Sequence, residues 1–152
     1  MKLFQKKKNN KGFSLVELIV VVAIMAVLIG VLVPTLIRNV EKSRLSKDKT
    51  ALDEIKNAIE VVLADEDNLD ATCTDLELNK TDPKTVNLSG NVTSASSDFW
   101  DDVKANLGNK ATVTLSSKLK KDAKVKLTIA DGHAKIVVDS SENGDYDFTI
   151  GD

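Results

Sequence analysis

The sequence predicts an α+β protein in which a long N-terminal α-helix, membrane-spanning in its first half and amphipathic in its second, packs on a small antiparallel β-sheet. Three patterns in the 152 residues lead there. Residues 18–33 are apolar throughout apart from one glycine and carry no charge. Between residues 36 and 63 apolar side chains recur every three or four positions, the period of a half-buried helix. In the last forty residues they recur at every second position around turn-forming dipeptides, the signature of paired strands.

Residues 1–12 are a basic leader, with Lys2, Lys6, Lys7, Lys8 and Lys11 and no acid. Setting those five aside leaves 16 of the 21 basic residues against 23 acidic ones, so the rest of the chain has a formal charge of −7. An acidic body argues against nucleic acid as a partner. The basic head fits the cytoplasmic side of a membrane under the positive-inside rule.

Residues 13–34 are the membrane helix. The 21 residues from Phe13 to Val33 rise about 31 Å at ~1.5 Å each, against a hydrocarbon core of ~30 Å. The pattern argues against a removable secretory signal, whose apolar region is only about 7–15 residues long and ends at a small-x-small site. Here the run is followed by Pro34-Thr35-Leu36-Ile37-Arg38. A plain anchor accounts for the length but not for Glu17, since an acid costs ~2.5–3.5 kcal/mol at the centre of a membrane helix and less towards the interface. Pro34 removes a helical hydrogen bond at a cost of ~3 kcal/mol, and Gly30 sits at the turn whose carbonyl is left unpaired. The pair predicts a kink.

Residues 35–66 continue as an amphipathic helix. Leu36, Ile37, Val40, Ala51, Leu52, Ile55, Ala58, Ile59, Val62 and Leu63 make the apolar stripe. The charged face offers three i,i+4 ion pairs, Arg44 with Asp48, Lys49 with Asp53 and Lys56 with Glu60. The Asp65-Glu66-Asp67-Asn68 run ends the helix, which from residue 13 would extend close to ~80 Å.

Residues 69–152 form the head. Residues 69–97, rich in Thr, Asn, Ser and Asp and holding Pro83 and Gly90, predict a long loop with one short strand near 85–88. Ser97 or Asp98 caps a helix over 99–107 that buries Phe99, Trp100, Val103 and Leu107 and closes at Gly108. Residues 112–115 make a weak strand. Val125, Leu127 and Ile129 lead through the Asp131-Gly132 hairpin turn to Ala134, Ile136 and Val138. A second turn at Asn143-Gly144 precedes Tyr146, Phe148 and Ile150. The result is a meander of three or four strands whose apolar face the amphipathic helix covers.

The run Lys11-Gly12-Phe13-Ser14-Leu15-Val16-Glu17-Leu18 resembles the processing signature of type IV prepilins and related pseudopilins. There a basic leader ends in Gly, a Phe follows, and a Glu four residues on opens the apolar helix; Pro34 falls where many pilins carry a proline. The likeness covers roughly residues 1–45. It implies a pilin-like fold, a cut between Gly12 and Phe13 by a membrane-embedded prepilin peptidase, and N-methylation of Phe13. It further implies self-assembly, with Glu17 of one copy meeting the Phe13 amine of another and the Gly30 to Pro34 stretch loosening as subunits pack. An α-amino group with pKa near ~8 stays largely charged, so each charge offsets the desolvation of the other.

The function implied is that of a structural subunit of a type IV pilus, serving adhesion, motility or aggregation. Its further partners are the membrane insertion and pilus assembly machinery. The chain would be a single-pass membrane protein before assembly and part of an extracellular filament afterwards. A pseudopilin of a type II secretion or competence DNA-uptake system shares the signature, and a membrane-anchored binding or enzymatic domain is the alternative of another class. The chain departs from many pilins in one respect. Cys73 is its only cysteine, so its C-terminus must be held by strand pairing and by burial of Phe148 and Ile150 instead of an internal disulfide.

Little else carries chemistry. His133, the sole histidine, has no triad or metal companion. Asp139, Glu142, Asp145 and Asp147 do not fit the calcium-loop pattern and read as a solvated turn. Asn79, Asn87 and Asn91 open Asn-x-Ser/Thr triplets of the kind chance supplies in such loops. No catalytic residue, metal site or cofactor is expected.

Overall fold

The computed structural model describes residues 13–78, 82, 84–117, 123–139 and 147–151. The leader with Gly12, and also Asn79, Pro83, the Asn143-Gly144 turn, Glu142, Asp145 and Tyr146, lie outside the described residues. The chain forms two compact units, Met1–Asn39 and Val40–Asp152. Helix α1, Leu15–Leu63, contributes its first part to one and the remainder to the other. In the first unit every described side chain is exposed, and the helix runs unbroken through Gly30 and Pro34.

The second unit has a core. Leu52, Ile55, Ala58, Ile59, Val62 and Leu63 of α1 are buried because their three-and-four spacing puts them on one stripe. They meet strands whose own alternation faces them. Strand β1 spans Cys73–Glu77, β4 Lys124–Ala130, β5 His133–Asp139 and β6 Phe148–Ile150. These four form an antiparallel sheet in the order β1-β4-β5-β6. Val125, Leu127 and Ile129 of β4 and Ala134, Ile136 and Val138 of β5 point into the core. Their register, Leu127 opposite Ile136 and Ala130 opposite His133, is set by the predicted turn. Asp131 and Gly132 there take φ of 52° and 77°, the left-handed pair that a tight two-residue hairpin requires.

Two further strands, β2 (Thr85–Asn87) and β3 (Thr112–Thr114), pair with each other in a separate two-stranded sheet. Helix α2, Phe99–Asn106, buries Phe99 and Val103 and half-buries Trp100. It ends as the sequence predicts. Gly108 N–H donates to the Ala105 carbonyl and Asn109 N–H to the Lys104 carbonyl, the paired bonds of a Schellman cap.

The structure corrects the sequence reading at five points. The loop predicted over 69–97 contains β1, which pairs with β4. The 112–115 strand leaves the meander for β2. At α2, Asp98 holds the N-cap position without a side-chain capping bond, its carboxylate accepting the Ser97 hydroxyl instead. Phe148 and Ile150 are half-buried, not buried. Of the three expected ion pairs only Lys56 to Glu60 forms, at 2.8 Å. Arg44 pairs with Glu41 at 3.6 Å, and the Lys49 ammonium lies 5.0 Å from the centre of the Phe148 ring.

Asp48, expected on the charged face, is 2% exposed. Its carboxylate accepts Ser116 N–H (2.7 Å), the Ser116 hydroxyl (3.0 Å) and Ser117 N–H (2.8 Å). A clamp of this kind ties α1 to the chain entering β4, 68 residues away.

Candidate processing and assembly segment

Phe13, Ser14 and Glu17 stand together at the start of α1. Phe13 is 86% exposed, so neither its backbone nor its ring is tied into a core. Ser14 precedes the helix, and its carbonyl accepts the Leu18 N–H at 3.2 Å, which makes it the N-cap. Glu17 lies three residues on, where its side chain reaches back to accept the Ser14 N–H at 2.9 Å. This is the acidic half of a capping box, in which the third helical residue satisfies an otherwise unpaired backbone donor. The negative carboxylate also suits the positive pole of the helix. Sequence reading passed over this role of Ser14 and Glu17, although Ser-x-x-Glu before an apolar run announces it.

Gly30 and Pro34 lie one turn apart farther along the same helix. Nothing stands within 4 Å of where a side chain on Gly30 would begin, so bulk is not what selects glycine in the isolated chain. Gly12, the other side of the predicted cut, lies outside the described residues. Between them these positions bracket a helix surface of unusual character. Phe13, Leu15, Val16 and all the large apolar side chains from Leu18 to Val40 are exposed. An 18-residue stretch of this helix has a mean hydropathy of 3.1 with none of it buried. Such a surface is stable in a bilayer or against other helices, not in water.

The family model for the prokaryotic N-terminal methylation motif matches residues 7–33. The chain carries that motif. Gly12, Phe13 and Glu17, which carry the resemblance read from the sequence, lie within the matched residues. A curated relative, prepilin peptidase-dependent protein A of Clostridium perfringens (strain 13 / Type A), is 33% identical over 85 residues, 55% of this chain and 59% of its own length. The chain thus spans about three-fifths of that relative's length. No solved structure matches the chain.

The head has surface features of its own. A groove of about 800 Å³ runs beside α1 and is lined by Ala51, Ala58, Val61, Leu107, Val113 and neighbouring polar residues. Its polar lining is Glu54, Asn57, Asn106, Lys110, Thr112 and Thr114. Among the described residues no group of three His, Cys, Asp or Glu could hold a metal. His133 lines a second cavity of about 720 Å³ with Lys56, Glu60 and Asp131. Cys73 is buried, its thiol 3.6 Å from the Leu127 carbonyl, and burial pushes the thiol pKa up. A buried thiol held protonated is a poor nucleophile.

Proposed function

We propose that the chain is a structural subunit of a type IV pilus-type filament. A prepilin peptidase cuts between Gly12 and Phe13 and the new Phe13 amine is methylated. The mature subunits then polymerise through the apolar part of α1. The observation that carries this reading is the wholly exposed apolar helix surface that opens at a methylation motif and continues, without a break in the helix, into the core of a folded head. An anchor needs only the apolar length. A subunit that leaves the bilayer for a filament needs an apolar helix freed of its lysines, and a cut after Gly12 removes all five.

In this reading Glu17 changes partner. In the single chain it caps its own helix through Ser14; in the filament it meets the charged Phe13 amine of a neighbour, so that neither charge is left alone in an apolar interior. The Gly30 to Pro34 stretch, already short of one hydrogen bond, loosens on packing.

Two measurements test the proposal. Mass spectrometry of the subunit from an assembly-competent host is expected to find an N-terminus at Phe13 carrying one methyl group; a mature chain that retains its leader overturns the reading. Glu17→Gln keeps a capping side chain, because glutamine serves at that position, but removes the charge. It is expected to insert normally yet lower filament yield by about tenfold or more, the consequence of an unpaired buried amine. Wild-type yield from this variant would leave capping as the whole role of Glu17.

A further inference from the structure

The second unit carries opposite charges at the two ends of its α1 segment. Near the start Lys42, Arg44 and Lys47 are exposed. The two acids among them are withdrawn: Asp48 is buried beneath Ser116 and Ser117, and Glu41 is half-buried beside Arg44. The exposed band is therefore net positive. At the other end Asp65, Glu66, Asp67 and Asp70 are all exposed, and no ion pair among the described residues engages them.

Asp65 holds the N-cap position of a single 3-10 turn, Glu66–Asn68, whose first turn holds Glu66 and Asp67. That is a local reason for acids there, but it still leaves their carboxylates without an ion pair among the described residues. The C-terminal end of a helix is the negative pole of its dipole and favours Lys, Arg or His, yet the last turn of α1 has no basic residue and is followed by three carboxylates. At ~1.5 Å per residue about 32 Å of helix separates Lys42 from Leu63, several times the ~8 Å over which salt screens surface charges. The positive band of one chain cannot relieve its own acidic end. That of another copy can. A head-to-tail contact between unlike surfaces builds an open filament whenever its rotation does not close into a ring.

We infer that the band of Lys42, Arg44 and Lys47 on one copy docks on the acidic end of α1, Asp65, Glu66, Asp67 and Asp70, on a second copy. This deepens the filament reading and rests on it. Rim charges govern orientation and rate of association more than affinity. The apolar helices hold the copies together, and this contact sets which way round and at what stagger one head follows the next.

The test uses the full chain in a host that assembles it. Lys42→Glu with Lys47→Glu forms one variant, Glu66→Lys with Asp67→Lys a second, and all four changes together a third. Sheared filament is compared with membrane-held subunit by immunoblot, and protease resistance of the head reports folding. Each double reversal is expected to lower the sheared-to-membrane ratio at least about fivefold with the head still resistant, and the combined swap to recover to within about twofold of wild type. In a Cys73→Ser background, Lys47→Cys with Glu66→Cys is expected to give a ladder of linked subunits when filaments are mildly oxidised. Full yield from either reversal, no recovery on the swap, or no ladder overturns the contact while the filament reading stands. A wild-type chain that yields no filament overturns both together.

Discussion

Asp48 fastens helix α1 to the segment entering β4 through three hydrogen bonds, two of them from backbone N–H groups. Asp48→Asn replaces one carboxylate oxygen by a donor facing another donor. Hydrogen bonds to charged groups contribute about 1.5–3 kcal/mol each and a stranded buried donor costs about as much. The variant is therefore expected to lose roughly 2–4 kcal/mol of head stability, read from urea melts followed by Trp100 fluorescence. Melts that coincide with wild type would show the clamp to be dispensable. A second residue-scale effect depends on pH. The Lys56 ammonium, hydrogen-bonded to Glu60, holds its carboxyl below the usual carboxylate range against the contrary push of burial. A carboxyl with a lowered folded-state pKa contributes stability above its ordinary value of about 4.3 and loses it as the pH falls through the lowered one. Lys56→Met is expected to be less stable than wild type at neutral pH and to converge with it in acid; a difference that persists undiminished into acid would refute the pairing. Both residues show where sequence pattern stops. Lys56 and Glu60 were legible as an i,i+4 pair, but Arg44 with Asp48 had the same spacing and gave no sign that Ser116 and Ser117 would claim the carboxylate first.

Among the elements, β6 is the most exacting. It is three residues long, lies at the sheet edge, and ends against Gly151, whose φ is 92°. A Cβ there would come within 2.5 Å of the Ala134 carbonyl oxygen and 3.1 Å of the Lys56 side chain. Gly151→Ala is expected to release β6, at a cost of about 1–3 kcal/mol for the forced backbone. Hydrogen exchange should then quicken in β6 and at the facing amides of β5, leaving β4 protected. Unchanged protection would mean that the strand adjusts around the extra carbon. The hairpin of β4 and β5 was readable from the sequence because alternation and an Asp-Gly turn agree. Strand β1 was not: Cys-Thr-Asp-Leu-Glu has no clean alternation, Asp75 takes a φ of 49°, and the register slips between Cys73 and Leu76. A bulged edge strand with two acids looks like a loop until β4 is there to pair with it. Likewise nothing local in Thr112, Val113 and Thr114 says that their partner is β2.

For the whole molecule, processing and assembly should fail together. Replacing Gly12 with valine is expected to leave the leader attached, with the precursor accumulating in the membrane and no filament in the sheared fraction. Filaments built from unprocessed chains would separate polymerisation from the cut. The α+β class and the long helix were legible because each rests on a pattern sustained over tens of residues: an uncharged apolar run, a helical stripe and a paired alternation. The methylation motif was legible because Gly12, Phe13, Glu17 and the apolar run agree in register. The head's two separate sheets and its clamp were not, since both depend on contacts between segments far apart in sequence.

The first α1 residue buried in the head is Asp48, and the compact unit that holds the head begins at Val40. A protease nicking the chain just short of Val40 would release the head as an intact, folded fragment. One cutting a few turns later, inside the stripe from Leu52 to Leu63, would destroy the core.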